Sequence, residues 1–280
     1  MIELIGRKKE NGLLKVFFKL YDLLFLMLGA YPIRCSLSYN EKEIDTSKWV
    51  IRYTTANHFI EQEAAFCDIT AENINSKSLI DIDNIHKQSI ASISYIISEY
   101  YEHVVTNHKI ELITHTIDGI FMHSIYYKEL LDVKRIQNSK CSDSTYYENV
   151  ERVFRTFFYY HRKYNCQILE ELGTTKKKFY KTISDTRNDF SHLLGKKKNR
   201  LISGKDMVYY IDLIFIAERL FVLDEMLKLK LNERMIQEYM YIMHDWIDEL
   251  VNKRADRIKS KRYTNIQKVN LIEKKLGLTE

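Results

Sequence analysis

Proline occurs once and glycine eight times in 280 residues. Little in the chain can therefore break a helix, and that scarcity points to a mostly helical protein. The cysteines Cys35, Cys67, Cys141 and Cys166 are widely separated and form no C-x-x-C pair. This argues against a disulfide framework or a zinc ribbon, and reduced thiols in a cytoplasm fit best. A long uncharged run is also missing. The most apolar stretch, 13–29, is interrupted by Lys15, Lys19 and Asp22, whereas a spanning helix needs about 20 mostly uncharged residues. The segment after it, AYPIRC, is a poor signal-peptide cleavage site. The stretch reads as an amphipathic core helix, with no membrane partner expected. There is no Gly-rich phosphate loop, no G-x-S-x-G and no supported Cys-centred motif.

What is present is apolar and aromatic. Apolar residues make up 45% of the chain, enough for a sizeable core, and many of the 20 tyrosines and 13 phenylalanines stand in pairs. The net charge is only +5, so its distribution matters more than its mean. Residues 253–280 carry nine Lys or Arg against three acids, and residues 196–205 carry five against none. Both stretches are candidate contacts for a polyanion.

In chain order, the pattern predicts a helix over 11–29. Alternation in 33–39 predicts a strand, with a polar turn at Asn40–Lys42 and a second extended piece at Trp49–Thr54. Helices are predicted over about 84–108, 110–133 and 146–172. A further helix over 175–195 is expected to be capped by Thr174 or Thr175 and stopped by Gly195. Ser203–Asp206 resembles a capping box opening the next helix, and Asn232 is placed to cap the last. The expected architecture is an all-α bundle with a small N-terminal β-hairpin element. It divides into an N-terminal helix plus hairpin (1–78), a helical bundle (79–252) and a basic helical extension or tail (253–280).

The helix over 175–195 carries the chemistry. Phe179, Ile183, Phe190 and Leu194 form its core stripe. Asn188 and His192 are four apart and share a face. Arg187 lies about 140° from His192 at 3.6 residues per turn, so it either snorkels toward the histidine or meets it across two chains. The spacing Arg-x(4–6)-His occurs three times, as Arg52/His58, Arg155/His161 and Arg187/His192. Only the third has Asn directly after the Arg and a basic run directly after the helix.

The stretch DTRNDFSHLLGKKKNRLISGKDM resembles the HEPN domain, in particular its ApeA-like branch. The carrying residues are Thr186, Arg187, Asn188 and His192. The resemblance extends over about 84–250 as the bundle. More loosely, FFKLYDLLFLMLGAYPIRCSLSY is similar to the segment that precedes the bundle in that branch. Two departures stand out: Asp118 occupies a helix position where the family often has Glu, and the larger β-rich region of full-length members of that branch is absent, or present only as the hairpin. The resemblance implies a HEPN-type bundle and a cytoplasmic, metal-independent, cofactor-free endoribonuclease, cutting single-stranded or loop RNA to 2′,3′-cyclic phosphate and 5′-hydroxyl ends. It implies a homodimer with a composite active site, serving as a defence effector or toxin, with a regulatory protein as a possible partner. Arg187, Asn188 and His192 would be catalytic. Lys196, Lys197, Lys198 and Arg200 would bind flanking RNA phosphates.

The residue types suit that chemistry. An imidazole exchanges protons near neutral pH, and a guanidinium clamps phosphoryl oxygens while staying charged. Two alternatives stay open. One is a catalytically inactive HEPN module that binds RNA or protein. The other is a metal-dependent enzyme using Glu99, His103, His108, Glu111, His115, Asp118 and His123, although no HExxH pattern is present.

Overall fold

The computed structural model describes residues 10–29, 37–39, 42–44, 65–84, 106–122, 146–162, 168–170, 172–192, 201–202 and 206–241. The protein is all-α. Six helices are α1 (Glu10–Leu28), α2 (Ser76–Asp81), α3 (Thr106–Met122), α4 (Tyr146–Tyr160), α5 (Lys176–His192) and α6 (Met207–Phe221), and residues 233–241 are also helical. Leu37–Tyr39 pairs antiparallel with Lys42–Ile44, Leu37 opposite Ile44. Lys42 thus lies in the ladder rather than in a turn. The extended piece expected at Trp49–Thr54, most of the helix expected at 84–108 and the tail 253–280 lie outside the described residues.

α6 is the central post. It packs against α3 and α4, and its side chains from Tyr210 to Phe221 are almost all buried. α1 joins the same core, with Leu23, Phe25, Leu26 and Met27 fully buried. Of the charges that interrupt its apolar run, Lys15 is exposed and Lys19 pairs with Asp83. This is how a core helix carries charge, with each cation directed outward.

Two ionisable side chains nevertheless sit fully buried in the last turn of α6, Glu218 and Arg219. Arg219 donates from Nε to Leu26 O (3.0 Å) and from Nη2 to Met27 O (3.2 Å). These are carbonyls of the last turn of α1, which have no partner within their own helix. The guanidinium also lies 4.2 Å from the Phe66 ring centroid and 5.2 Å from that of Phe215. Gly29 ends α1 at φ +77°, and a Cβ there would stand 2.5 Å from Arg219 Nη1. Glycine is required at this position by both backbone and space.

Element boundaries correct two expectations. The helix predicted over 146–172 divides: α4 ends at Tyr160, His161–Arg162 form a turn, and 168–170 are helical again. Gly173, at φ +62°, then closes that second piece, with Gly173 N–H bonded to Glu170 O and Thr174 N–H to Leu169 O, both at 2.8 Å. α6 begins at Met207 with Asp206 as its N-cap residue, and Asp206 makes no side-chain cap bond. A box opened by Ser203 would have started the helix three residues earlier. Asn232 caps as its sequence position predicts, its Oδ1 accepting from Met235 N–H at 3.2 Å.

Two outcomes follow from this core. Gly29→Ala is expected to destabilise by more than about 1 kcal/mol, from strain and from displacing the Arg219 guanidinium, read as a lower urea midpoint. The second concerns Asp212 on α6. Burial, opposed by Lys109, pushes its carboxyl from 3.8 up to about 7. The folded protein holds a proton that the unfolded chain has released, so this contribution is full below 3.8 and is lost as pH rises to about 7. Urea midpoints measured from acid to neutral pH should fall across that window, and Asp212→Asn should flatten the fall.

Candidate functional site

α5 forms where its residues predict. Thr175 Oγ1 accepts from Lys178 N–H at 3.3 Å, capping the first turn. Phe179 and Ile183 are buried, and Phe190 packs at the edge of the core. α5 lies against α3 and α4, so its last two turns face side chains from both.

Arg187 is the hub of that corner. Its Nη2 pairs with the Asp118 carboxylate on α3, both side chains being about one-fifth exposed, at 23% and 22%. Its Nη1 donates to Asn188 Oδ1 at 3.2 Å. Its guanidinium carbon stands 5.0 Å from the centroid of the Tyr146 ring on α4. Tyr146 is itself anchored, its hydroxyl donating to Thr114 O at 2.6 Å. Burial first, then the nearby Asp118 and Glu218 charges, holds that phenol well above its usual range, so it stays protonated. Arg187 Nε is buried and meets no acceptor among the described residues. The partner of Arg187 is thus Asp118, across the helix interface, and not the neighbouring Asp185.

One turn further along α5, Ser191 Oγ lies 2.9 Å from His115 Nε2. His115 Nδ1 lies 2.8 Å from Glu111 O. A carbonyl only accepts, so Nδ1 carries the proton and, in the neutral ring, Nε2 accepts from the Ser191 hydroxyl. The result is a hydroxyl–imidazole pair with its ring orientation fixed by the backbone. His115 and Asp118 are three apart on α3, and Arg187 and Ser191 are four apart on α5, so one helical face of each meets the other.

The sequence-predicted residues fare as follows. Arg187 and Asn188 are together and half-buried. His192 is the last residue of α5, about 7.5 Å along the axis from Arg187, and its side chain lies outside what is described. Lys196, Lys197, Lys198 and Arg200 also lie outside the described residues. The chain returns from that stretch at Ile202, whose N–H donates to Thr186 Oγ1 at 3.0 Å. Ile202 thus stands beside Thr186, the residue before Arg187. Of the rival motifs, Arg155 is exposed while His161 is fully buried, and Arg52 and His58 lie outside the described residues.

For the metal alternative, Glu99, His103 and His123 lie outside the described residues. Glu111 directs its carboxylate to His108 at 3.1 Å, not to His115. Among the described residues no three His, Cys, Asp or Glu side chains converge on a point that could hold a metal. No helix among them is long and apolar enough to cross a membrane. Cys67 is a buried free thiol, pushed up to about 12 chiefly by burial, which makes it unreactive.

Comparison of the chain with protein-family models, curated proteins and solved structures finds no match.

The geometry makes Arg187 a packing element as well as a charge. A double-mutant cycle on Arg187→Met and Asp118→Asn should give a coupling of about 1 kcal/mol, measured by urea unfolding. Additive effects would show that the pair contributes nothing to holding α5 on α3.

Proposed function

We propose that this chain is a HEPN-type, metal-independent endoribonuclease that works as a homodimer, with a small N-terminal β element preceding its helical bundle. The observation that carries the reading is the convergence at the end of α5. Arg187, Asn188 and Ser191 meet Asp118 and His115 there, within about one and a half turns of His192.

In this reading RNA supplies its own nucleophile. A ribose 2′-oxygen loses its proton to an imidazole and forms a bond to the adjacent phosphorus. The phosphorus–O5′ bond breaks, and O5′ takes a proton as it leaves. The products are a 2′,3′-cyclic phosphate and a 5′-hydroxyl, with atoms and charge balanced. His192 carries the proton transfer. Arg187 stabilises the charge that grows on the non-bridging oxygens. Asp118 and Asn188 each take one N–H of the guanidinium fork. A guanidinium has five N–H donors; with Nε buried, one N–H on Nη1 and one on Nη2 remain for phosphate, and Asp118 acts as a positioning residue. The two Arg187/Asn188/His192 motifs of a dimer would face one another across a shared cleft. Lys196, Lys197, Lys198 and Arg200 would neutralise flanking phosphates. A role as a defence effector or toxin, held in check by a protein partner, belongs to the same reading.

One observation favours a second reading. The Arg187 guanidinium already holds a carboxylate, an amide and an aromatic face, as a purely structural arginine would. In that case the chain is a catalytically silent module binding RNA or a protein.

Incubation of single-stranded RNA with purified protein in EDTA separates them. The nuclease reading predicts cleavage, reduced about 10²- to 10⁴-fold by His192→Ala. Arg187→Lys, which keeps the charge but loses the fork, should also cost most of the rate. Intact RNA that the wild-type protein nevertheless binds would establish the silent module. Cleavage unaffected by either substitution would remove both residues from the mechanism.

A further inference from the structure

A second polar surface lies between α4 and α5, outside the cluster around Arg187. A groove of about 520 Å³ runs between α4 and the first turns of α5, lined by Tyr147, Glu151, Arg155, Phe158, Tyr159, Lys176, Lys177 and Tyr180. Four of these side chains are aromatic and three are cationic, against one acid. Tyr159 is 51% exposed, with the Arg162 guanidinium 4.0 Å over its ring. Lys176 Nζ stands 4.8 Å from the Phe158 centroid. Tyr147 and Tyr180 meet edge to face at 6.2 Å.

Two further observations bear on what this groove takes. Its cations include the first two helical residues of α5, where Lys176, Lys177 and Lys178 are all exposed and no acid stands in the first turn. The helix dipole disfavours cations there by about 0.3–1 kcal/mol each. Local rules broken without local compensation tend to mark function. The groove and the site also share a neighbouring pair of residues at the start of α4. Tyr147 on its wall follows Tyr146, which covers Arg187.

We infer that this groove is a binding subsite for single-stranded RNA, taking unpaired bases on the Tyr147 and Tyr159 rings, which stand over the buried Phe158 and Tyr180, and phosphates on Arg155, Lys176 and Lys177. Aromatic faces interleaved with cations are what a flexible strand of stacked bases and phosphates requires. An acidic peptide would use the cations and leave the rings idle. From Lys177 to Arg187 is ten residues of one helix, about 15 Å. That distance is covered by about four stacked nucleotides at about 3.4 Å each. The subsite deepens the nuclease reading and rests on it for its link to cleavage, since it would hold the strand upstream or downstream of the cut.

The test is equilibrium binding of a fluorescein-labelled 2′-O-methyl oligouridine, which cannot attack its own backbone, to the full chain. The double reversal Lys176→Glu with Lys177→Glu should weaken binding about tenfold or more. It should also make the slope of log affinity against log salt shallower by about 1.4, at about 0.7 per lysine for single strands. The reversal agrees with the helix dipole, so folding should survive, and a thermal melt checks that. Tyr159→Ala should cost about fivefold or more through lost stacking. Affinity unchanged in both variants overturns the subsite. So does a polyglutamate peptide that binds as tightly and loses as much in Tyr159→Ala. RNA binding lost in the variants of a protein that cleaves nothing keeps the groove and ends the nuclease reading. Cleavage by a protein whose RNA affinity ignores all three residues keeps the nuclease and ends the groove.

Discussion

Two neighbouring ionisable side chains in the driest part of the bundle, Glu218 and Arg219, set the frame for everything around them. Buried charge is costly unless it is neutralised or bonded, and each residue solves this differently. Arg219 keeps its charge, although burial lowers it to about 10, and donates to the buried carbonyl end of α1. Glu218 is pushed well above its usual value by burial, opposed by the hydrogen bond that Thr116 Oγ1 donates to its Oε1. The same hydroxyl stands 2.6 Å from Ile113 O, so Thr116 shares its one proton between a carbonyl of α3 and the carboxyl on α6.

The consequence reaches the candidate site. Because Thr116 is hooked onto α6, the opposite side of α3 is fixed, and His115 and Asp118 lie on that side. Facing them, α5 has its rotation set by Phe179 and Ile183 in the core. Arg187 and Ser191 then have little freedom except to meet Asp118 and His115. The polar corner is held on the bundle's rim by apolar and buried polar contacts behind it. Such a buried supporting layer gives a site its precision.

Much of the helical frame was legible in the sequence, because helix formation and capping are local. The apolar spacing of α5, the Asn232 cap and the charged interruptions of α1 each depend on residues within a turn or two. Where local signals compete they mislead. Ser203–Asp206 looks like a capping box, yet α6 starts only at Met207. The run 146–172 is periodic throughout, yet turns at His161. The site was legible only in part. Arg187 and Asn188 announce themselves by their neighbours, but the choice of Asp118 over Asp185 is made 69 residues away by helix packing. The His115–Ser191 contact spans 76 residues, and the only available hint was that His115 and Asp118 share a face. With no family model, curated protein or solved structure matching, the functional reading rests on the quoted motif and on this corner's geometry.

The most direct measurement is the fate of an RNA whose ribose 2′-hydroxyl at the cut site is replaced by a methoxy group, treated with the wild-type protein in EDTA beside its unmodified twin. The account predicts that the unmodified strand is severed, leaving a cyclic phosphate on one fragment and a free 5′-hydroxyl on the other, while the methylated linkage survives. Scission at the methylated linkage, or an unmodified strand left whole by the wild-type protein, would contradict it.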